Sequence, residues 1–319
     1  MKAAVLLGAG SFEIAEVSPP APKSGEVLIR VSGCGICGSN LPPWLGEVSI
    51  SYPQPPGAPG HEVYGTVAAC GGGVLGVRVG ARVSALTERS FAELDVASAS
   101  TVVPIPESLA DEPVLGEPLA CAVNVISRSG IREGDTVVVV GIGFLGGLIL
   151  QLARERRPGR LIAVSRRAAS RELAHQLGAD HVLSYDQDVE GKLASWTNQR
   201  LADVVIEVTG YSSPLDLAAR LTRVRGRLVI AGYHQSGERR VDLRLWNWRG
   251  LDVINAHERA PEVYRRGIEE GVRLLEAGRL SLEPLLTHFF PLAEINRAFA
   301  TAVKRPEDFV KAVVVSHES

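Results

Sequence analysis

The run Asp135-Thr136-Val137-Val138-Val139-Val140-Gly141-Ile142-Gly143-Phe144-Leu145-Gly146-Gly147 constrains the chain more than any other stretch. Four successive valines are β-branched and wholly apolar, which suits a strand buried on both faces. Gly141, Gly143 and Gly146 follow with Gly-x-Gly-x-x-Gly spacing, and Leu145 to Arg154 reads as a helix. In that spacing the first glycine makes a tight turn, the second lets a pyrophosphate approach the backbone, and the third lets helix and strand pack closely. The phosphates then meet unpaired N–H groups at the positive end of the helix. Gly141, Gly143, Phe144, Leu145 and Gly146 are therefore the candidate dinucleotide contacts.

Thr136 to Ala153 is apolar enough to raise a membrane span as an alternative. Four interrupting glycines, the polar Gln151 and the α/β periodicity that follows argue against it. Arg160-Leu161-Ile162-Ala163-Val164-Ser165 reads as the next strand of a βαβ unit. In an NAD-binding unit such a strand ends in Asp or Glu, which accepts from the ribose 2′-hydroxyl. Here Ser165 is followed by Arg166 and Arg167. A carboxylate repels a 2′-phosphate, whereas a hydroxyl and two guanidiniums bind one. The pattern predicts NADP(H).

With 319 residues the chain can hold two domains. Thirty-four basic residues against 36 acidic ones give no sign of a nucleic-acid partner. The N-terminus is too short and glycine-broken for a signal peptide. Four scattered cysteines point away from a disulfide framework and towards the cytoplasm. Residues 1–122 are punctuated like a β-rich domain, with strands expected at 26–31, 65–69 and 81–86 and further β-prone pieces within 91–106. Residues 123–256 alternate between the two element types. Strands are expected at 136–140, 161–165, 181–184, 203–208, 227–231 and 251–254, with helices at 144–154, 168–177, 188–196 and 213–222. Six strands with helical crossovers make a doubly wound sheet. Residues 257–319 add helices near 262–277 and 292–303 and a strand, Lys311 to Val315, that is expected to return to the first domain.

Cys37-Gly38-Ser39-Asn40 reads as a loop after a strand, His61-Glu62 follows 24 residues later, and Glu117-Pro118 precedes the alternating region. Thiolate, imidazole and carboxylate are the ligand types of a catalytic zinc that keeps one position open. Cys34-Gly35-Ile36-Cys37 also resembles a zinc knuckle or a redox pair. A knuckle needs a second cysteine pair, and Cys70 and Cys121 stand alone; a redox pair opens a helix, and Gly33, Gly35 and Gly38 make this a loop.

Together with Leu286-Thr287-His288 and Phe290-Pro291-Leu292, these motifs run in one order over nearly the whole length. In this the chain resembles the medium-chain dehydrogenase/reductase superfamily, and within it the zinc-dependent alcohol and polyol dehydrogenases. The resemblance implies a GroES-like β-barrel catalytic domain (1–122 and 257–319) around a Rossmann domain (123–256), with the active site in the cleft between them. It implies Cys37 and His61 as zinc ligands, with Glu62 or Glu117 as the third. It further implies a small alcohol or carbonyl substrate and a homodimer paired near Leu251–Asn255. Ser39 and Glu62 are the residues assigned to the chemistry, Ser39 taking the substrate's hydroxyl proton. Trp44, Phe91 and His257 are candidate pocket residues.

Three departures from the family pattern stand out. Thr87-Glu88-Arg89-Ser90-Phe91 crosses directly where relatives with a structural zinc carry a four-cysteine lobe, so one catalytic ion is expected and no structural one. Asn40 occupies the place of an Asp that partners the zinc-bound histidine, and its oxygen can still accept a hydrogen bond. Pro42 and Pro43 stand where some relatives keep a proton-relaying histidine. The competing readings are a zinc-independent quinone or enoyl reductase of the same superfamily and a non-catalytic NADPH-binding sensor.

Overall fold

Alternating side chains in Ser11-Phe12-Glu13-Ile14 pair strand β2 (Ser11–Glu16) antiparallel with β1 (Lys2–Gly8), a hairpin that the sequence pattern did not single out. The computed structural model describes residues 1–235 and 237–316. The chain divides into two units, Met1–Ala120 with the segment from Arg259 onward, and Cys121–Glu258.

In the first unit the strand expected at 26–31 continues as β3 (Glu26–Gly35), so it carries Cys34 in its last turn of pleat. The short helix α1 (Leu41–Leu45) follows, then β4 (Glu62–Cys70), β5 (Arg82–Leu86), β6 (Leu94–Ser98) and β7 (Val103–Pro104). Helix α2 (Gly116–Ser129), which is not among the helices expected from the sequence, leads into the second unit.

The second unit alternates β8 (Thr136–Val140), α3 (Phe144–Arg154), β9 (Arg160–Ser165), α4 (Ala168–Gln176), β10 (His181–Ser184), α5 (Val189–Trp196), β11 (Ala202–Glu207), α6 (Ser212–Leu221), β12 (Thr222–Ile230), α7 (Leu243–Arg249) and β13 (Asp252–Asn255). Its six strands lie in the order β10-β9-β8-β11-β12-β13, all parallel. This is the doubly wound Rossmann arrangement. Val137 to Val140 are all buried, as the unbroken valine run required. Helix α7 carries the run Trp246-Asn247-Trp248-Arg249. Trp246 packs on the core, but Trp248 is 87% exposed.

Helix α8 (Pro261–Glu276), β14 (His288–Pro291), α9 (Ile295–Lys304) and β15 (Ala312–Val315) complete the first unit. The expected helix at 292 begins later, because Leu292–Glu294 form a 3₁₀ turn after Pro291. Strand β15 pairs with β14 and β3, giving a seven-stranded sheet ordered β14-β15-β3-β4-β5-β7 with β6 also on β3. Val27, Ile29 and Val31 alternate inward on β3 against Val63, Val67, Val83 and Ala85, so the two-residue period of the sequence becomes one buried face. A second cluster holds Phe12, Phe91 and Phe299, with Trp44 5.7 Å from the Phe299 ring. Trp44 and Phe91 are thus packing residues of this cluster.

Candidate metal centre and dinucleotide turn

Cys37 and His61 sit on separate loops, the first just after β3 and the second just before β4, and Glu62 opens β4. Gly35 and Glu62 are register partners across β3 and β4. Among the described residues, the ligand atoms of Cys37, His61 and Glu62 all lie within 4.8 Å of one another. Glu117, in the first turn of α2, acts on His61 by its charge but is outside that set.

One side chain ties the two ligand loops together. Asn40 is 1% exposed; its Oδ1 accepts from Cys37 N–H at 2.8 Å, and its Nδ2 donates to the Pro59 carbonyl at 3.0 Å. The hydrogen bonds of Asn40 run to Cys37 and Pro59, with none to the His61 ring among the described residues. An aspartate here could accept from Cys37 but could not donate to Pro59. The asparagine is explained by that second bond.

Electrostatics favour a cation at this point. Burial opposes protonation of His61, yet its hydrogen bond to Cys37 and the charges of Cys37, Glu117 and Glu62 push the imidazole up to about 10. A place that attracts a proton so strongly concentrates negative charge, which a divalent ion neutralises. Glu62 Oε2 is buried, has no hydrogen-bond partner among the described residues, and lies 2.5 Å from Lys311 Nζ in an ion pair. Thiolate, imidazole and an incompletely satisfied carboxylate are a donor set that fits zinc.

Lys311 is a part of the centre that the sequence did not reveal. Its ammonium donates to Glu62 Oε1 at 2.7 Å from 249 residues away. A lysine heading a run of valines was the sole hint. The pair occupies the space a side chain at Gly35 would take, since a Cβ there would stand 2.0 Å from Glu62 Oε2 and 2.9 Å from Lys311 Cε.

Cys34 is fully buried on β3 and free, and burial together with the Glu62 charge raises its thiol well above the ordinary value. It behaves as core, so Cys34 and Cys37 are separated in role despite their spacing. Further along, Asp95 closes the Thr87–Phe91 crossing. Its Oδ2 accepts from Arg89 N–H at 3.0 Å and Ser90 Oγ at 2.7 Å, and Ser90 in turn meets Thr87 Oγ1 at 2.6 Å.

In the second unit the three glycines have three different surroundings. Gly141 has φ +102°, and a Cβ there would meet Thr209 Cγ2 at 2.4 Å; a Cβ on Gly146 would meet the Gly141 carbonyl at 2.0 Å. A Cβ on Gly143 would meet nothing within 4 Å. The open position is the one a pyrophosphate must approach, and it caps the N-terminus of α3, where Phe144 and Leu145 begin the helix. Ser165 ends β9 nearly buried, Arg166 is exposed and Arg167 half-buried. Arg171, on α4, was not foreseen. Its Nη1 donates to the Ser165 and Arg166 carbonyls, at 3.3 and 2.5 Å, and so braces the turn that bears those groups. His257 stacks on Tyr233 with ring centroids 5.1 Å apart.

Residues 23–107 match the alcohol dehydrogenase GroES-like domain, and residues 144–270 match the zinc-binding dehydrogenase family. A 2-dehydro-3-deoxy-L-galactonate 5-dehydrogenase of Pseudoalteromonas atlantica is 29% identical over 98% of both chains. An L-threonine 3-dehydrogenase of Pyrococcus abyssi is 30% identical, covering 86% of this chain and 87% of its own. A zinc-binding dehydrogenase from Sinorhizobium meliloti 1021, solved bound to NADP, superposes with a TM-score of 0.86 at 27% identity over 98% of each chain. With the sheet order, the glycine turn and the convergent thiolate, imidazole and carboxylate, these likenesses establish that the chain belongs to the zinc-dependent alcohol and polyol dehydrogenases of the medium-chain dehydrogenase/reductase superfamily.

Proposed function

We propose that the protein uses one catalytic zinc ion to transfer hydride between NADP(H) and an alcohol or carbonyl compound of the secondary-alcohol or polyol type. The observation that carries this reading is the convergence of Cys37, after β3, with the adjacent His61 and Glu62, at the start of β4, to within 4.8 Å. Cys37 and His61 would hold the ion with Glu62 as third ligand, since Glu117 is not part of the convergent set. When bound, zinc supplies Lewis acidity that makes a hydroxyl easier to deprotonate near neutral pH. Ser39 lies two residues beyond Cys37, and its amide donates to the Cys37 sulfur at 3.5 Å. Its half-buried hydroxyl is free to take the substrate proton. The preference for NADP(H) rests on Ser165, Arg166 and Arg167, and the likeness to an NADP-bound dehydrogenase supports it. The hydrogen-bonded closure at Asp95 supports a single ion, because the turn is held without metal ligands. A homodimer fits the position of β13 as an edge strand of the second sheet, and light scattering tests it.

The decisive experiment combines metal analysis with turnover on a panel of secondary alcohols, polyols and the matching ketones. One zinc per chain, lost together with activity in Cys37→Ser and His61→Ala, supports the reading. Full turnover in zinc-free protein overturns it in favour of a quinone or enoyl reductase. Tight NADPH binding with no turnover on any panel member overturns it in favour of a sensor.

A further inference from the structure

Among the described residues, Glu207 is a fully buried carboxylate that the proposed chemistry does not use. Glu207 is the last residue of β11, is fully buried, and pairs in register with Val140 of β8 and Ile230 of β12. The chain runs outward from β8 through β9 to β10 and then returns to β11 on the other flank of β8. Glu207 and Val140 therefore stand where the strand order reverses, at the carboxyl ends of the strands. Ligands of doubly wound sheets enter there. A negative charge at that point needs an answer if a doubly charged pyrophosphate is to bind nearby.

Its hydrogen bonds supply the answer. Glu207 Oε1 accepts from Thr209 N–H and Thr209 Oγ1, both at 2.5 Å, and from Gly210 N–H at 2.9 Å. Glu207 Oε2 lies 3.0 Å from His234 Nε2. On the far side of the ring Arg239 Nε donates to His234 Nδ1 at 3.1 Å, while Arg239 Nη2 donates to the Gly210 carbonyl at 3.2 Å. A guanidinium has donors only. Nδ1 must accept, so the ring proton resides on Nε2 and is given to Glu207. The imidazole is neutral, in one tautomer, between a carboxylate and an arginine. Thr209, fixed by Glu207, places its methyl where a Cβ on Gly141 would fall. The network thus reaches the first glycine of the dinucleotide turn.

We propose that His234 is a positioning residue for the nicotinamide dinucleotide. By donating to Glu207 and accepting from Arg239 together, it holds the segments after β11 and β12 against the glycine turn. It also links the Glu207 charge to a compensating cation. This rests on the reading that the chain binds NADP(H), and the test separates the two.

NADPH and NADH binding to the purified full chain is measured by nucleotide fluorescence at neutral pH, with thermal unfolding of each variant alongside. His234→Leu removes both contacts and should weaken NADPH binding about tenfold, the effect of losing a hydrogen bond to a charged group. His234→Gln restores an amide donor for Glu207 and a carbonyl acceptor for Arg239, and should return affinity to within about twofold of wild type. Side-chain bulk alone would not produce that rescue. Arg239→Met keeps the His234–Glu207 bond, should weaken binding in the same direction, and decides the matter if His234→Leu does not fold. Unchanged affinity in His234→Leu, or in Arg239→Met where the leucine variant is unfolded, overturns the proposal. Equal losses in the leucine and glutamine variants also overturn it. Wild-type protein that binds neither nucleotide overturns the cofactor reading instead.

Discussion

Lys311 Nζ lies 2.7 Å from Glu62 Oε1, with the lysine side chain 6% and the glutamate side chain 1% exposed. Removing one partner from a buried ion pair leaves an uncompensated charge, which costs about 3–5 kcal/mol. Lys311→Met should therefore lower the unfolding free energy of metal-free protein by about that amount. Zinc should restore more stability to the variant than to wild type, because it replaces the lost counter-charge. Urea denaturation with and without zinc checks both; a loss below about 1 kcal/mol would show that the carboxylate is compensated elsewhere.

Asn40 offers a second test, because its two hydrogen bonds run in opposite senses. Asn40→Asp keeps the bond from Cys37 N–H and replaces the donor facing the Pro59 carbonyl with a second acceptor. The expected cost is about 1–3 kcal/mol, the penalty for an unsatisfied buried polar contact. A lower melting temperature with zinc still bound would locate the role of Asn40 in joining the two ligand loops. An unchanged melting temperature would remove that role.

Asp203 predicts a stability change in acid. Burial alone raises its pKa, but the Thr136 amide at 2.8 Å and Arg223 Nε at 2.6 Å, helped by Arg200, hold it below the ordinary value. A folded-state pKa below the unfolded one means the stabilisation is complete above the unfolded value, about 4, and is lost as pH falls through the folded value. Asp203→Asn should be less stable than wild type at neutral pH, and the gap should close as acid is added. A gap that stays constant from pH 7 into the acid range would rule out this linkage.

The β9 terminus predicts cofactor selectivity. Ser165→Asp places a carboxylate beside the expected 2′-phosphate and should weaken NADPH binding about tenfold or more while improving NADH binding. Dissociation constants for both nucleotides decide this. Parallel changes in the two would place the adenosine away from Ser165.

Much of this architecture was legible because its causes are local. The valine run, the glycine spacing and the recurring strand–helix rhythm are set by neighbours in sequence, and five of the six strands fall within a residue of their expected positions, while β12 begins five residues earlier, at Thr222. The hairpin β1–β2 and helix α2 lie outside the expected elements, although Gly8 and Gly10 mark the hairpin turn and Gly130 follows the helix. The site divides in the same way. Cys37, His61 and Glu62 could be named from short motifs. Lys311, His234 and Arg239 act through contacts that only folding creates, and each is an ordinary polar residue in its own sequence neighbourhood. Asn40 could be placed but not understood, because its role depends on which backbone groups surround it.

Strand β15 brings the counter-ion of Glu62 from 249 residues downstream. On the ribosome, a nascent chain that has already exposed Cys37, His61 and Glu62 still lacks that ammonium, so its donor set carries one more uncancelled negative charge than the finished protein. Neutralisation of that buried carboxylate therefore waits on the docking of β15 against β3.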